Sequence, residues 1–202
     1  MKRFISLFFC SALVVLLAAG VTARSASACV GKSLTVGAMD NSQQQVLAQM
    51  LSILIGERTG TTVKIVPIGG HAEGHEALLR ADLDMYVEYT GVGQVVLLKD
   101  EPIADSKVLF DAVKDRYNRE LNLIWMKPFG FSDEALAPAG TVAEAAPVVR
   151  KDTLKKFPAL ARLINKLGGS IDAATMVELE KASADGNPRE VARNFLKKNR
   201  FI

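Results

Sequence analysis

Three times between Leu34 and Tyr89, a short β-branched or aromatic run leads into a turn-forming loop and is followed by helical spacing. Leu34-Thr35-Val36-Gly37 opens into a loop at Ala38 to Asn41, and Val46, Leu47, Met50, Leu51 and Leu54 then recur at helical intervals until Gly60. Ser42 followed three residues later by Gln45 predicts a capping box. Thr62 to Pro67 is the second strand, with the turn Gly69-Gly70 behind it, and His71 to Arg80 the second helix. Leu83 to Tyr89 is the third strand, ending in a turn through Thr90-Gly91 and Gly93. A further helix over Ser106 to Leu121 leads to a fourth strand over Asn122 to Lys127. Such alternation constrains the chain to an α/β fold, a mostly parallel sheet flanked by helices. Ligands of such sheets sit beyond the carboxyl ends of the strands. The loops Ala38–Asn41, Gly69–His71 and Tyr89–Gly93 should therefore share one edge.

The ends of the chain have a different character. Lys2-Arg3, the apolar run Phe4 to Val21 and the small residues Ala26-Ser27-Ala28 read as an export signal over residues 1–28, which makes the protein periplasmic or otherwise exported. Cys29 raises the alternative of a lipid anchor, which the polar stretch Thr22 to Ser25 and the small Ala26 disfavour. Removing 28 of 202 residues leaves 174, one domain spanning 29–202. Lys2, Arg3 and Arg24 leave with the signal, so the 25 basic and 22 acidic residues of the whole chain become equal in number. A near-neutral mature chain lacks the basic face that nucleic acid requires. Cys29 would be its only cysteine, which excludes an internal disulfide and a cysteine-based zinc site.

Ala137 to Ala146 is small and poor in polar groups and reads as a linker within a hinge region over 131–147. Pro147 to Arg150 is a last short strand, and 151–202 a helical tail with segments near Leu154–Leu167, Asp172–Ala182 and Pro188–Asn199. Asn187 as cap, Pro188 at the first helical position and Glu190 at the third give the last of these a strong start.

The loop before the capped helix, the Gly69-Gly70 turn, "DMYVEYTG", "NLIWMKPFGF" and "PVVRKDTLKKFPALARLINKLGGSID" occur in an order and at spacings that resemble the glycine betaine, choline and proline betaine binding proteins of ABC transporters. The resemblance covers nearly all of the chain after the signal. It implies a type II periplasmic binding protein fold, two α/β lobes clamping a ligand between them. Here "GFSDEALAPAGTVAEAAPVVR" joins the outgoing crossing to the returning strand almost directly, where the family carries a domain-sized second lobe. The chain thus resembles a single lobe of that fold.

Quaternary ammonium ligands are held by several aromatic faces, each worth roughly 0.5–2 kcal/mol. Tyr89 matches a cage tyrosine of the family; the family's second lobe-one tyrosine falls at Ala135, and the lysine of its first loop at Met39. Tyr86 stands three residues before Tyr89 on a strand and should face the other way, while Tyr117 and Trp125 read as core. The expected ligand-binding residues are therefore Tyr89, Thr90, Asp40, Asn41, Met39 and Gly70, with no catalytic residue, no metal and no cofactor. Asp40 reads equally well as a residue that only shapes its turn. His71 and His75, with Glu73 and Glu76 nearby, have the spacing of a metal pair but read more simply as a solvated helix face.

These residues suggest two functions. One is an exported solute-binding component of an ABC system for quaternary ammonium or other small polar solutes, with weakened or altered binding. It would work with a permease, and a second copy of the chain would be one way to complete its cleft. The other is a periplasmic interaction module that keeps the fold without solute binding. No nucleophile or acid–base pair stands out, so an enzyme is not expected.

Overall fold

The computed structural model describes residues 33–202; the expected signal and Cys29 lie outside the described residues. Five strands form one sheet in the order β2-β1-β3-β5-β4: β1 Ser33–Ala38, β2 Thr62–Pro67, β3 Met85–Tyr89, β4 Leu123–Trp125 and β5 Ala145–Arg150. β1 pairs in parallel with both β2 and β3, whereas β5 runs antiparallel to β3 and β4. Four of the five strands thus point one way, and the loops after β1, β2 and β3 gather on one edge, as the sequence predicts.

The fifth strand departs from expectation. β5 is the last strand in the chain, as expected, but it lies between β3 and β4 and begins at Ala145 rather than Pro147. Ala145, Ala146, Val148 and Val149 are wholly buried. A run of alanines reads as a linker by composition; here Ala145 and Ala146 pair with Tyr89 and Glu88 of β3, and Val148 and Val149 lie between β3 and β4.

Helices cover both faces. α1 (Ser42–Thr59) packs on one face with the tail helices α6 (Ala173–Asp185) and α7 (Pro188–Lys198) beyond it. α2 (His71–Leu79) and α3 (Ser106–Arg116) cover the other. Between α6 and β5 come the short α4 (Lys151–Lys156) and α5 (Leu160–Ile164). Side chains of β3 divide strictly by parity: Met85, Val87 and Tyr89 join the core under α1, while Tyr86 joins the core under α2 and α3. Val46, Leu47, Met50, Leu51 and Leu54 of α1 are all fully buried.

Several local details differ from the sequence reading. α1 is capped by Asn41, whose Oδ1 accepts the Gln44 N–H at 2.8 Å, and Gln45 instead donates to the Met39 carbonyl at 2.9 Å. The amide is one position better placed than the Ser42 hydroxyl to reach the open N–H groups of the first turn. Helix α3 ends at Arg116 and continues as a π-helical turn over Tyr117–Leu121, closed by Asn122 at φ 56°. After β3 the chain enters a second π-helical turn, Val92–Leu97, directly rather than turning as a loop.

Residues 129–145, where the composition of Ala137 to Ala146 reads as a linker or hinge, form a hydrogen-bonded hairpin. Phe129 N–H donates to the Ala145 carbonyl at 2.9 Å, Ala145 N–H to Phe131 at 3.2 Å and Asp133 N–H to Ala143 at 2.9 Å. Its tip turns through Pro138 to Thr141 with Gly140 at φ 76°. Thr90 fastens it to the end of β3: its N–H donates to the Glu144 carbonyl, its hydroxyl donates to Val142 and accepts the Glu144 N–H.

Candidate functional site

Tyr89 closes β3 at the shared edge of the sheet, where it meets the first turn of α1. Its ring is only 1% exposed. The hydroxyl donates to Gln43 Oε1 and accepts a hydrogen bond from Gln44 Nε2 at 3.2 Å; Gln44 Nε2 also reaches the Val87 carbonyl at 3.3 Å. Burial, the largest influence, holds the phenol well above its ordinary pKa despite the opposing Gln44 hydrogen bond. Gln43 Nε2 in turn donates to Asp133 Oδ2 at 3.3 Å and to Glu180 Oε1 of α6. A two-glutamine bridge thus connects the tyrosine to two carboxylates from the hairpin and the tail.

Above this bridge lies a cleft of about 490 Å3, lined among others by Asn41, Gln43, Tyr89, Asp133, Ala135 and Glu180. Its volume falls within the range of small-molecule sites. Among the described residues Tyr89 is the only aromatic one lining it, and Ala135, where the resemblance implies a second tyrosine, lines it too. Two of the six expected ligand-binding residues, Asn41 and Tyr89, therefore come together. The others are placed apart from this cleft: Thr90 is buried and engaged by the hairpin, Met39 packs in the core under α2, Asp40 is exposed in its loop, and Gly70 precedes α2 with open space around its Cα.

On the other side of β3 is a buried polar cluster. Glu88 is fully buried, and its carboxylate receives three donors: His71 Nδ1 at 2.8 Å, the Tyr86 hydroxyl at 2.9 Å and the Tyr89 backbone N–H at 2.7 Å. The imidazole of His71, 24% exposed, meets the Tyr89 ring edge-on at 5.8 Å. Burial lowers the His71 pKa, but the hydrogen bond and charge of Glu88 outweigh it and hold the pKa above the ordinary histidine value. Burial, then the Glu88 charge, drives the Tyr86 phenol well up. His75 is 8% exposed and packs edge-on against Tyr117, and burial lowers its pKa. The expectation of a solvated histidine face is corrected: α2 lies with both histidines toward the sheet, because Ala77 and Leu78 pull that side of the helix into the core. No group of three metal-ligating side chains occurs among the described residues.

Gln43, Gln44, Asp133, Glu180 and the His71–Glu88 pair escaped the sequence reading. Gln44 was detectable, standing three and seven residues before Leu47 and Leu51 on the buried stripe of α1. Glu88, a charge within a strand buried on both faces, was detectable too. Asp133 and Glu180 reach the cleft through tertiary contacts that leave no local pattern.

Residues 32–137 and 133–198 match, as two segments, the family described as the substrate binding domain of ABC-type glycine betaine transport systems. The two segments meet at 133–137, in the hairpin around the 3-10 turn Glu134–Leu136. The ergothioneine transport permease/ergothioneine binding protein of Helicobacter pylori is 36% identical over 122 residues, 60% of this chain and 22% of that protein. The carnitine transport binding protein of Listeria monocytogenes is 28% identical over 185 residues, 87% of this chain and 56% of that protein. The chain thus spans about half the length of the carnitine-binding relative, and less of the ergothioneine one. A crystal structure titled as a glycine betaine/carnitine/choline ABC transporter superposes with a TM-score of 0.78 at 17% identity, covering 85% of this chain and 99% of that one. At that identity the likeness is one of fold: a periplasmic binding protein sheet, present here as a single lobe.

Proposed function

The chain belongs to the family of substrate-binding domains of ABC-type glycine betaine transport systems, and from that premise we propose that it is an exported solute-binding component serving an ABC permease. The solutes are betaines, small molecules carrying a trimethylammonium group and a carboxylate. The observation that carries this reading is Tyr89, set at the carboxyl end of β3 and lining a cleft of about 490 Å3. Asp133 and Glu180 outnumber Lys181 in the lining and leave negative charge beside that ring, where a cation would gain from both.

The binding is weak by the standards of an aromatic cage. Each aromatic face contributes roughly 0.5–2 kcal/mol, and each 1.4 kcal/mol lost weakens binding about tenfold. A cleft with one aromatic wall and alanine at position 135 binds such a cation correspondingly less tightly. A second chain seated over the cleft would restore burial.

Calorimetry on the exported protein with glycine betaine, choline, carnitine and ergothioneine tests the reading. Heat of binding that vanishes in Tyr89→Ala, in a variant shown to be folded, supports it. Absence of heat at millimolar concentrations of all four sinks it. The second reading, an interaction module that keeps the fold without binding solute, draws on one observation: the Tyr89 ring is 1% exposed and its hydroxyl is engaged within the protein.

A further inference from the structure

Glu88 is a carboxylate with no exposed surface, and His71 is its one cationic partner; its other two donors, the Tyr86 hydroxyl and the Tyr89 N–H, are neutral. The same histidine touches Tyr89 twice over, through the Glu88 carboxylate that holds the Tyr89 backbone and through the edge contact of the two rings at 5.8 Å. We propose that His71 is a positioning residue: through Glu88 it fixes the end of β3 and the Tyr89 ring at the cleft, and its protonation governs how firmly they are held. The consequence for solute binding rests on the reading given above; the consequence for Tyr89 does not.

The physical basis is the cost of a buried charge. A carboxylate removed from water is tolerated when a counter-charge and hydrogen bonds replace its hydration, and leaving it without the counter-charge is strongly destabilising. When His71 gives up its Nε2 proton, the ring can still donate Nδ1–H to Glu88, which then keeps three neutral donors and loses the cation. The other groups around the pair cannot replace it. On α2, Glu73 accepts the Gly69 N–H at 2.9 Å, Glu76 is acidic, and burial lowers the His75 pKa. From the facing elements come Tyr86, Tyr89 and Tyr117, all phenols with raised pKa, and opposite Glu88 across the ladder β5 presents Ala146. Beyond Tyr89, Asp133 and Glu180 add further negative charge. His71 is partly exposed, so protons reach it directly from solvent.

The test is a nuclear magnetic resonance titration of the full chain from below pH 6 to above pH 8, following the His71 ring and the Tyr89 amide. The expected result is that the Tyr89 amide proton shifts with the same midpoint as the His71 ring, and that this midpoint lies above the ordinary histidine value of about 6.5. Glu88→Gln should erase the inflection at Tyr89. A Tyr89 amide that stays flat while His71 titrates overturns the proposal, as does a His71 midpoint at or below the ordinary value. Should Glu88→Gln fail to fold, the wild-type titration decides alone.

A second arm reads binding with carnitine as the probe. Its affinity should fall about fivefold on passing from the protonated to the neutral form, the added strength that an ionised donor gives a hydrogen bond, and His71→Lys should bind with no such dependence. Carnitine affinity that is unchanged across the His71 titration overturns the linkage to the cleft. If carnitine gives no heat at any pH, the solute-binding reading fails, while the amide titration still decides whether His71 positions Tyr89.

Discussion

Gly91→Ala tests whether the hairpin at 129–145 really closes over the end of β3. Gly91 has helical torsions, φ −65° and ψ −36°, so alanine meets no backbone strain there. In open surroundings the change would stabilise the chain by about 0.5–1 kcal/mol, the ordinary difference between the two residues in a helix. In this fold the added Cβ lies 2.4 Å from Thr141 Oγ1, 2.6 Å from the Val142 carbonyl oxygen and 3.0 Å from Pro138 Cδ. The threonine hydroxyl can rotate away only by giving up its hydrogen bond to the Pro138 carbonyl at 2.7 Å. The carbonyl belongs to the hairpin backbone and moves only if the strand moves.

That strand is held by the bonds that would have to yield. Thr90 Oγ1 donates to the Val142 carbonyl at 3.2 Å and accepts the Glu144 N–H at 3.1 Å. Overpacking costs about 1–3 kcal/mol and a weakened hydrogen bond about 1 kcal/mol more, so a net loss of about 2–4 kcal/mol is expected. For a domain of this size that lowers Tm by roughly 5–15 °C. Urea and thermal unfolding followed by circular dichroism measure it, with Gly70→Ala as the control: nothing lies within 4 Å of the Cβ there, and a change within about 0.5 kcal/mol is expected. A Gly91→Ala protein as stable as wild type, or more stable, would refute the closure.

Asp84 joins three elements: Oδ2 accepts the Thr35 N–H at 2.8 Å and the Thr35 hydroxyl at 3.1 Å, and Oδ1 accepts the Thr153 hydroxyl at 2.7 Å. Asp84→Ala leaves these donors unpaired and should cost about 2–4 kcal/mol in urea unfolding. Tyr117→Phe removes a buried hydroxyl that has no hydrogen-bond partner among the described residues and should change stability by less than about 1 kcal/mol, whereas Tyr89→Phe, which loses Gln43 and Gln44, should cost about 1–2 kcal/mol. Because the folded His71 pKa is raised, the pair's contribution is full below the unfolded value of about 6.5 and disappears as pH rises through the folded value. Unfolding free energy should therefore decline with increasing pH across that window, and Glu88→Gln should remove the decline.

The parts of this fold that were legible in the sequence are those governed by local period. Three strand–helix units, the edge on which their loops gather and the opposite facing of Tyr86 and Tyr89 follow from spacings of two and 3.6 residues, and the structure has all of them. What was misread depends on partners remote in the chain. Ala137 to Ala146 carries no strand period, and its Pro138 and Gly140 mark only the hairpin tip, yet Ala145 and Ala146 open a strand by pairing with Tyr89 and Glu88 of β3. His71 and His75 look like a solvated pair until Glu88, on another element, gives one of them a buried counter-charge.

The site shows the same division, with a consequence for what the protein can bind. Tyr89 was placed by the strand on which it sits, and its cleft by the parallel edge. Its environment was not, because Gln43, Asp133 and Glu180 come from the start of α1, the hairpin and the tail. Those three contacts bring polar groups to the side where an aromatic cage would bring rings. On the reading proposed above, Tyr89 is a wall beside two carboxylates and one ammonium, Asp133, Glu180 and Lys181, and the cleft would favour a ligand whose positive charge is answered by carboxylates over one enclosed by π faces alone. Glycine betaine and a primary-amine analogue of the same size distinguish the two: a cage prefers the trimethylammonium, whereas a site governed by Asp133 and Glu180 does not discriminate against N–H donors. A strong preference for the quaternary ligand in this chain would show that the ring, and not the carboxylates, sets recognition.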